Sequence, residues 1–199
     1  MNEFFMSNTR SIILKSAVSL FSEKGFDAVS MRDIADKVNI SPPALYNHFK
    51  GKKALYISVI EESFSNKSKQ LVNSLTIDAL PIKRLEAFVL TLSEILVDEP
   101  EFKRLIQREQ LDADQQRLQY LAKELFNPFL NALTSLIKEI KPDCDAHGVA
   151  FAIIGMVQKH FEIESLVQFF PNYKKEHHTP VYITQLTMSM LTVFFGTKP

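Results

Sequence analysis

Apolar residues recur at three- and four-residue spacing along nearly the whole chain, and no two-residue alternation persists, so the sequence reads as all-α. A first helix is expected over about 9–24. There Ile13, Ala17, Leu20 and Phe21 form one stripe and Gly25 supplies a left-handed stop. A second opens at Ser30 with Asp33 three residues on, the spacing of a capping box. Met31, Ile34, Ala35 and Val38 make its buried face, and Asn39 ends it. Ser41 caps a third, Pro42 sits at its first position, and Leu45 and Phe49 face inward. A longer helix follows over about 52–74, with Leu55, Val59 and Ile60 packing on the first three.

Prolines then mark the boundaries. Pro81 opens a helix to about 98, and Pro100 a short one to about 110. A segment over about 115–140 contains Pro128, so a kink is expected there. A helix over 145–170 stops at Pro171, residues 172–180 read as a polar loop, and a last helix over 181–195 ends at Gly196. The count is about nine helices.

Composition narrows the classes only a little. The chain has 199 residues, 46% of them apolar, and a formal net charge of zero. Residues 1–56 hold eight Lys and Arg against five Asp and Glu, and the rest holds fifteen against eighteen. That asymmetry points weakly to an anion-facing N-terminal end. One cysteine, Cys144, gives no disulfide framework and fits a reducing, cytoplasmic setting. The longest apolar run, residues 149–157, is far short of a membrane span. Met6 is a candidate start, which would make residues 1–5 a flexible lead.

Residues 30–53 carry the candidate chemistry. With Leu45 and Phe49 inward, Pro42, Pro43, Ala44, Asn47 and His48 lie toward the open face of the third helix. Short side chains at its start let the backbone approach base edges, and Ala44 or the prolines suit a thymine methyl. Tyr46 and His48 offer donors to phosphate. Lys50, Lys52 and Lys53 follow, with Lys52 near the start of the fourth helix, where amides and ammonium groups together attract anions. Arg32, on the exposed face of the second helix, is placed to reach a phosphate or a base. Paired short helices are common in all-α proteins, so spacing alone does not imply DNA.

The run of residue types is more specific. Phe21, Gly25 and Phe26, then Ser30 through Ala35, then Val38 through Ser41, then Leu45 through Lys50 with Lys52, resemble the DNA-binding head of the TetR family of bacterial transcription regulators. The resemblance covers about a quarter of the chain. It implies phosphate contacts from Tyr46, His48 and Lys52, and groove-facing positions at Pro42, Pro43, Ala44 and Asn47, with Arg32, Ser41 and Lys50 completing the candidate DNA-binding residues. Asn39 stands where the family usually has Gly, and Ala44 where it usually has Thr or Ser. Direct hydrogen-bond readout is therefore expected to be sparse and shape readout more important.

The resemblance further implies a helix-turn-helix domain over 1–53, a connecting helix over about 52–74, and an effector-binding and dimerisation domain over 54–199. The expected function is that of a dimeric, ligand-responsive repressor with no enzymatic activity and no cofactor, released from a near-palindromic operator by a small molecule. The helices over 145–170 and 181–195 carry wide apolar faces suited either to a homodimer or to intrachain core. Phe102, Leu105, Arg108, Phe126, Phe129, Phe151, Met156 and His160 are candidate pocket residues, with Gln158 and Glu164 as further polar anchors. Asp143, Cys144, Asp145 and His147 suggest a metal cluster, but carboxylates capping a helix start explain them more simply. Ser135 and Lys138 have a nucleophile spacing without the rest of a site. A helical enzyme or small-molecule carrier with merely structural N-terminal helices stays open as the alternative.

Overall fold

The computed structural model describes residues 2–196, with side chains from Thr9 onward. The helices are α1 (Asn2–Lys24), α2 (Met31–Lys37), α3 (Pro42–His48), α4 (Lys52–Leu75), α5 (Pro81–Asp98), α6 (Pro100–Asp112), α7 (Gln115–Tyr120), α8 (Asn127–Ile140), α9 (Ala146–Glu162), α10 (Glu164–Val167) and α11 (Pro180–Phe195). The described residues contain no strand. The lead expected over residues 1–5 has its side chains outside the described residues.

The chain divides into two compact units. The first comprises residues up to 66 together with 101–125, and the second residues 67–100 together with 126 onward. Packing therefore groups α6 and α7 with the head, whereas the functional division drawn from sequence ran at residue 53. Helix α4 contributes residues to both units.

In the first unit α1 packs on α2 and α2 on α3. The core holds Ile13, Ala17 and Phe21 of α1, Ile34 and Ala35 of α2, Leu45 of α3, and Leu55, Val59 and Ile60 of α4, all nearly sealed from solvent. The stripes expected for these helices are thus the core, except that Val38 is only half-buried and serves as the C-cap of α2. The turn between α2 and α3 needs a left-handed residue, and Asn39 takes it with φ 56°. Gly25 does the same after α1, with φ 80°.

In the second unit α5 is the hub, packing against α8, α9 and α11. Leu85, Phe88, Val89, Leu92, Ile95 and Leu96 form its buried stripe.

Three expectations change. The helix over 115–140 is not one kinked rod. Residues Leu121–Phe126 are π-helical and α8 starts afresh at Asn127, with Pro128 in its first turn. Proline has no N–H to give the carbonyl four residues back and its ring crowds that carbonyl, so the ladder widens ahead of it. The helix over 145–170 ends early: Ile163 leaves helical geometry at ψ 3°, and only the short α10 follows. The loop over 172–180 contains a 3-10 turn, Lys175–His178. Together these raise the count above the nine read from sequence.

Candidate nucleic-acid interface

The head face is built from its caps outward. Asp33 N–H donates to Ser30 Oγ at 3.1 Å, and Ser30 N–H donates to Asp33 Oδ2 at 2.7 Å, closing the capping box. The Ser30 hydroxyl beside Asp33 holds that carboxyl below its usual range. On α3, Ala44 N–H donates to Ser41 Oγ at 3.4 Å, and Pro42 and Pro43 fill the first turn.

Buried Leu45 and Phe49 set the rotation of α3. Ser41, Pro42, Pro43, Tyr46 and Asn47 are exposed as a result, while Ala44 and His48 are half-buried. Tyr46 is 51% exposed. Lys50 lies exposed just past the end of α3. Arg32 is exposed on α2, with Asp36 3.9 Å away, an open pair of little energetic weight. All ten residues singled out from sequence therefore belong to the head, and none is sealed in the core.

Lys52 is the one with a second task. It is half-buried as the first residue of α4. Its Nζ donates to the Asp27 carbonyl at 3.1 Å and lies 4.4 Å from the centre of the Phe26 ring. It thus ties the loop after α1 to the start of α4.

Sequence reading singled out Arg108 as a pocket candidate and missed the other groups that hold this corner. Arg10 donates to Ser58 Oγ at 3.3 Å and lies over the Phe49 ring at 5.1 Å, bracing the end of α3 against α4. Arg108 donates to the Glu23 carbonyl at the end of α1. The Tyr56 hydroxyl donates to Glu109 Oε1. Arg117 Nε donates to Glu109 Oε2 at 3.1 Å, and Arg117 NH2 to Asp112 Oδ2 at 2.9 Å. The Arg117 guanidinium also lies 4.8 Å from the Phe26 ring centre. Burial, then the hydrogen bond to Glu109, pushes the Tyr56 hydroxyl well above its ordinary range. Glu109 and Arg117 sit in a polar stretch with no motif, so no local signal marks them.

The eight pocket candidates divide between the two units. Phe102, Leu105 and Arg108 belong to the first unit, the others to the second. Phe102 and Leu105 are core, and Phe129 is buried beside Phe88. Phe126 and Met156 are half-buried, Phe151 is 51% exposed against His147, and His160 stacks on His178 at 4.5 Å. Two clefts within the second unit are lined by other residues. One, of about 590 Å³, lies among Gln70, Asn73, Ile77, Thr91, Glu94 and Asp98. The other, of about 300 Å³, lies among Lys83, Leu90, Val181 and Gln185.

The apolar faces of α9 and α11 prove to be two-sided. Ile153 and Val157 on α9 and Ile183 on α11 are core, with Val149, Met156 and Val167 half-buried. Leu186, Met190 and Phe194, with Val193 at 83% exposed, point outward from α11, and Phe151 points outward from α9. Ile163 and Phe170, on the stretch after α9, are also exposed. Asp145 caps α9, accepting from Gly148 N–H at 3.0 Å. No helix among the described residues is long and apolar enough to cross a membrane.

Residues 13–59 match the model of the bacterial regulatory proteins, tetR family. Over 44 residues the chain is 50% identical to the biofilm operon icaADBC HTH-type negative transcriptional regulator IcaR of Staphylococcus aureus strain Newman, covering 22% of this chain and 24% of that protein. The chain thus spans about a quarter of the length of the curated relatives it matches. Among solved structures, a bacterial regulatory protein in the tetR family from Rhodococcus RHA1 superposes with a TM-score of 0.75 at 20% identity, over 96% of this chain and 98% of that one. AibR, solved in complex with isovaleryl coenzyme A and operator DNA, superposes at 0.72 with 19% identity, over 92% and 97%. At those identities the likeness is one of fold.

Proposed function

We infer that this chain, whose residues 13–59 carry the DNA-binding head of the TetR family of bacterial regulators, is a cytoplasmic homodimeric transcription regulator, a repressor released from its operator by a small molecule. The observation that carries the reading is the exposed α3 face. Pro42, Pro43, Tyr46 and Asn47 stand outward on a helix whose opposite side is locked by Leu45 and Phe49, with Lys50 and Arg32 at its rim. A helix so presented fits the major groove, and two of them one duplex turn apart, about 34–36 Å, read a near-palindrome. Residues 1–53 are the DNA-binding domain in this reading, and 54–199 bind the effector and dimerise.

The outward apolar faces of α9 and α11 support the dimer, because apolar helix faces left in water favour association. Both clefts of the second unit have volumes in the range of small-molecule sites, which supports an effector there. Helix α4 runs unbroken from Lys52 to Leu75 and is the natural connection to the head. An effector moves the equilibrium only through its unequal affinity for two settings of the heads, typically about 1–3 kcal/mol per coupled site.

The test is a fluorescence titration of the full chain with duplex DNA flanking its own gene. Specific binding at physiological salt is expected. Tyr46→Phe and Lys52→Ala are expected to weaken binding to all sequences, with Lys52→Ala lowering the salt slope by about one. No specific complex at physiological salt would favour a helical carrier or enzyme instead.

A further inference from the structure

We propose that the tip of α3 reads its operator through thymine C5-methyl groups, so that each half-site carries T·A pairs beneath Pro42, Pro43 and Ala44. The proposal rests on the DNA-binding reading above and deepens it.

Pro42, Pro43 and Ala44 have no free hydrogen-bond donor to offer. Pro42 and Pro43 lack an amide hydrogen, and the Ala44 N–H is already given to Ser41 Oγ. The next amide, Leu45 N–H, donates to the Ser41 carbonyl at 3.1 Å. No amide of the first turn is left for a phosphate or a base. The side chains of the three residues are hydrocarbon, exposed at 42 and 43 and half-buried at 44. What the tip presents outward is carbon.

Each base-pair edge in the major groove shows donors and acceptors, and thymine alone adds a methyl group. A carbon surface pressed on a G·C edge strips water from polar atoms and returns nothing, which is unfavourable. The same surface pressed on a thymine methyl removes apolar area from water. Groups able to bond to bases or phosphates flank these three residues: Ser41, Arg32, Tyr46, Asn47 and Lys50 are all exposed. They position the helix, and the methyl contacts select the sequence.

The full chain is used to select duplexes from a randomised library. The thymines of the selected half-site are then replaced singly by deoxyuridine, which removes only the methyl group. Affinity is expected to fall by about fourfold for each methyl covered, the value of one buried carbon. The losses are expected at adjacent positions in each half-site and not in the flanks. Pro43→Ser, which puts a hydroxyl at the tip, is expected to abolish at least one of these losses. Uracil duplexes bound as tightly as thymine duplexes would overturn methyl readout while leaving DNA binding intact. So would a selected core of G·C pairs, or a uracil penalty unchanged in Pro43→Ser. Selection that enriches no sequence would overturn the DNA-binding reading itself, and this proposal with it.

Discussion

In the first unit, the charged groups that are buried reach across helices, while the Ser22 hydroxyl turns back to the Ser19 carbonyl of its own helix. Glu109 on α6 is 1% exposed and Arg117 on α7 is 7% exposed, and they meet beneath Tyr56 of α4. In the second unit, Ser74, Ser93 and Thr184 are buried and turn back on their own helices, to the carbonyls of Leu71, Val89 and Pro180. A hydroxyl bonded within its own turn does nothing to align one helix against another. A buried ion pair across helices fixes where one helix stands against another, because misalignment leaves a charge without a partner. In the first unit the Phe26 ring meets both Lys52 of α4 and Arg117 of α7, so the loop after α1 is held by the same cluster. The second unit instead leaves hydrocarbon on the outside, along α9 and α11, where a second copy can cover it.

The contrast can be broken most directly at Glu109. Glu109→Ala leaves the Arg117 guanidinium buried with its main partner gone and is expected to destabilise the first unit by about 3–5 kcal/mol in urea unfolding. Replacing Glu109 and Arg117 together by Met is expected to recover most of that loss, because the pair as a whole is worth little against hydrocarbon of similar volume. A double variant as unstable as the single one would show that the cluster adds net stability and not only alignment.

The next largest effect is expected on the outer face of α11. Val193→Asp with Met190→Asp places two charges on the proposed dimer face and is expected to weaken dimerisation by about a hundredfold or more. Analytical ultracentrifugation reads the change. Operator affinity should fall in parallel, whereas the melting curve of the isolated protomer should barely move, since both side chains are exposed. An unaltered sedimentation profile would place the interface elsewhere.

The smallest effect sharpens the comparison within the second unit, at its exception to local hydroxyl bonding. His160 Nε2 and His178 Nδ1 are buried without hydrogen-bond partners among the described residues, and the rings stack at 4.5 Å. Burial, then the neighbouring His178, pushes the His160 imidazole below its ordinary value, while the His177 backbone and Glu164 pull the other way. The unfolded chain therefore binds the proton first as pH falls through about 6.5, and stability contributed by neutral His160 is lost below that point. Thermal melts at pH 7.5 and 5.5 should show the loss, and His160→Leu should flatten it. An unchanged pH slope in His160→Leu would assign the loss to other groups.

Much of the first unit could be read from sequence because its signals are local. A capping box spans four residues, a left-handed turn needs one, and the inward faces of α2 and α3 follow from Ile34, Leu45 and Phe49. The exposed face of α3 followed in turn, because burying those side chains leaves Pro43 and Asn47 nowhere but outward. Which aromatic residues are buried could not be read the same way. Phe102 and Phe151 are the same residue type on amphipathic stretches, yet one is core and the other half in water. Nothing within a few positions of either tells them apart.

By itself, then, the sequence determined that the chain is helical, where most helices begin, and which face of α3 is free. These follow from backbone geometry and from the periodicity of apolar residues. Only the tertiary structure decided that Pro128 begins a helix after a π turn, and that α9 and α11 are apolar on two sides. It also decided that Glu109, Arg117 and Tyr56 meet at all. Those outcomes depend on which helices pack together, and the free energy of burying a charge or a ring is set by neighbours dozens of residues away.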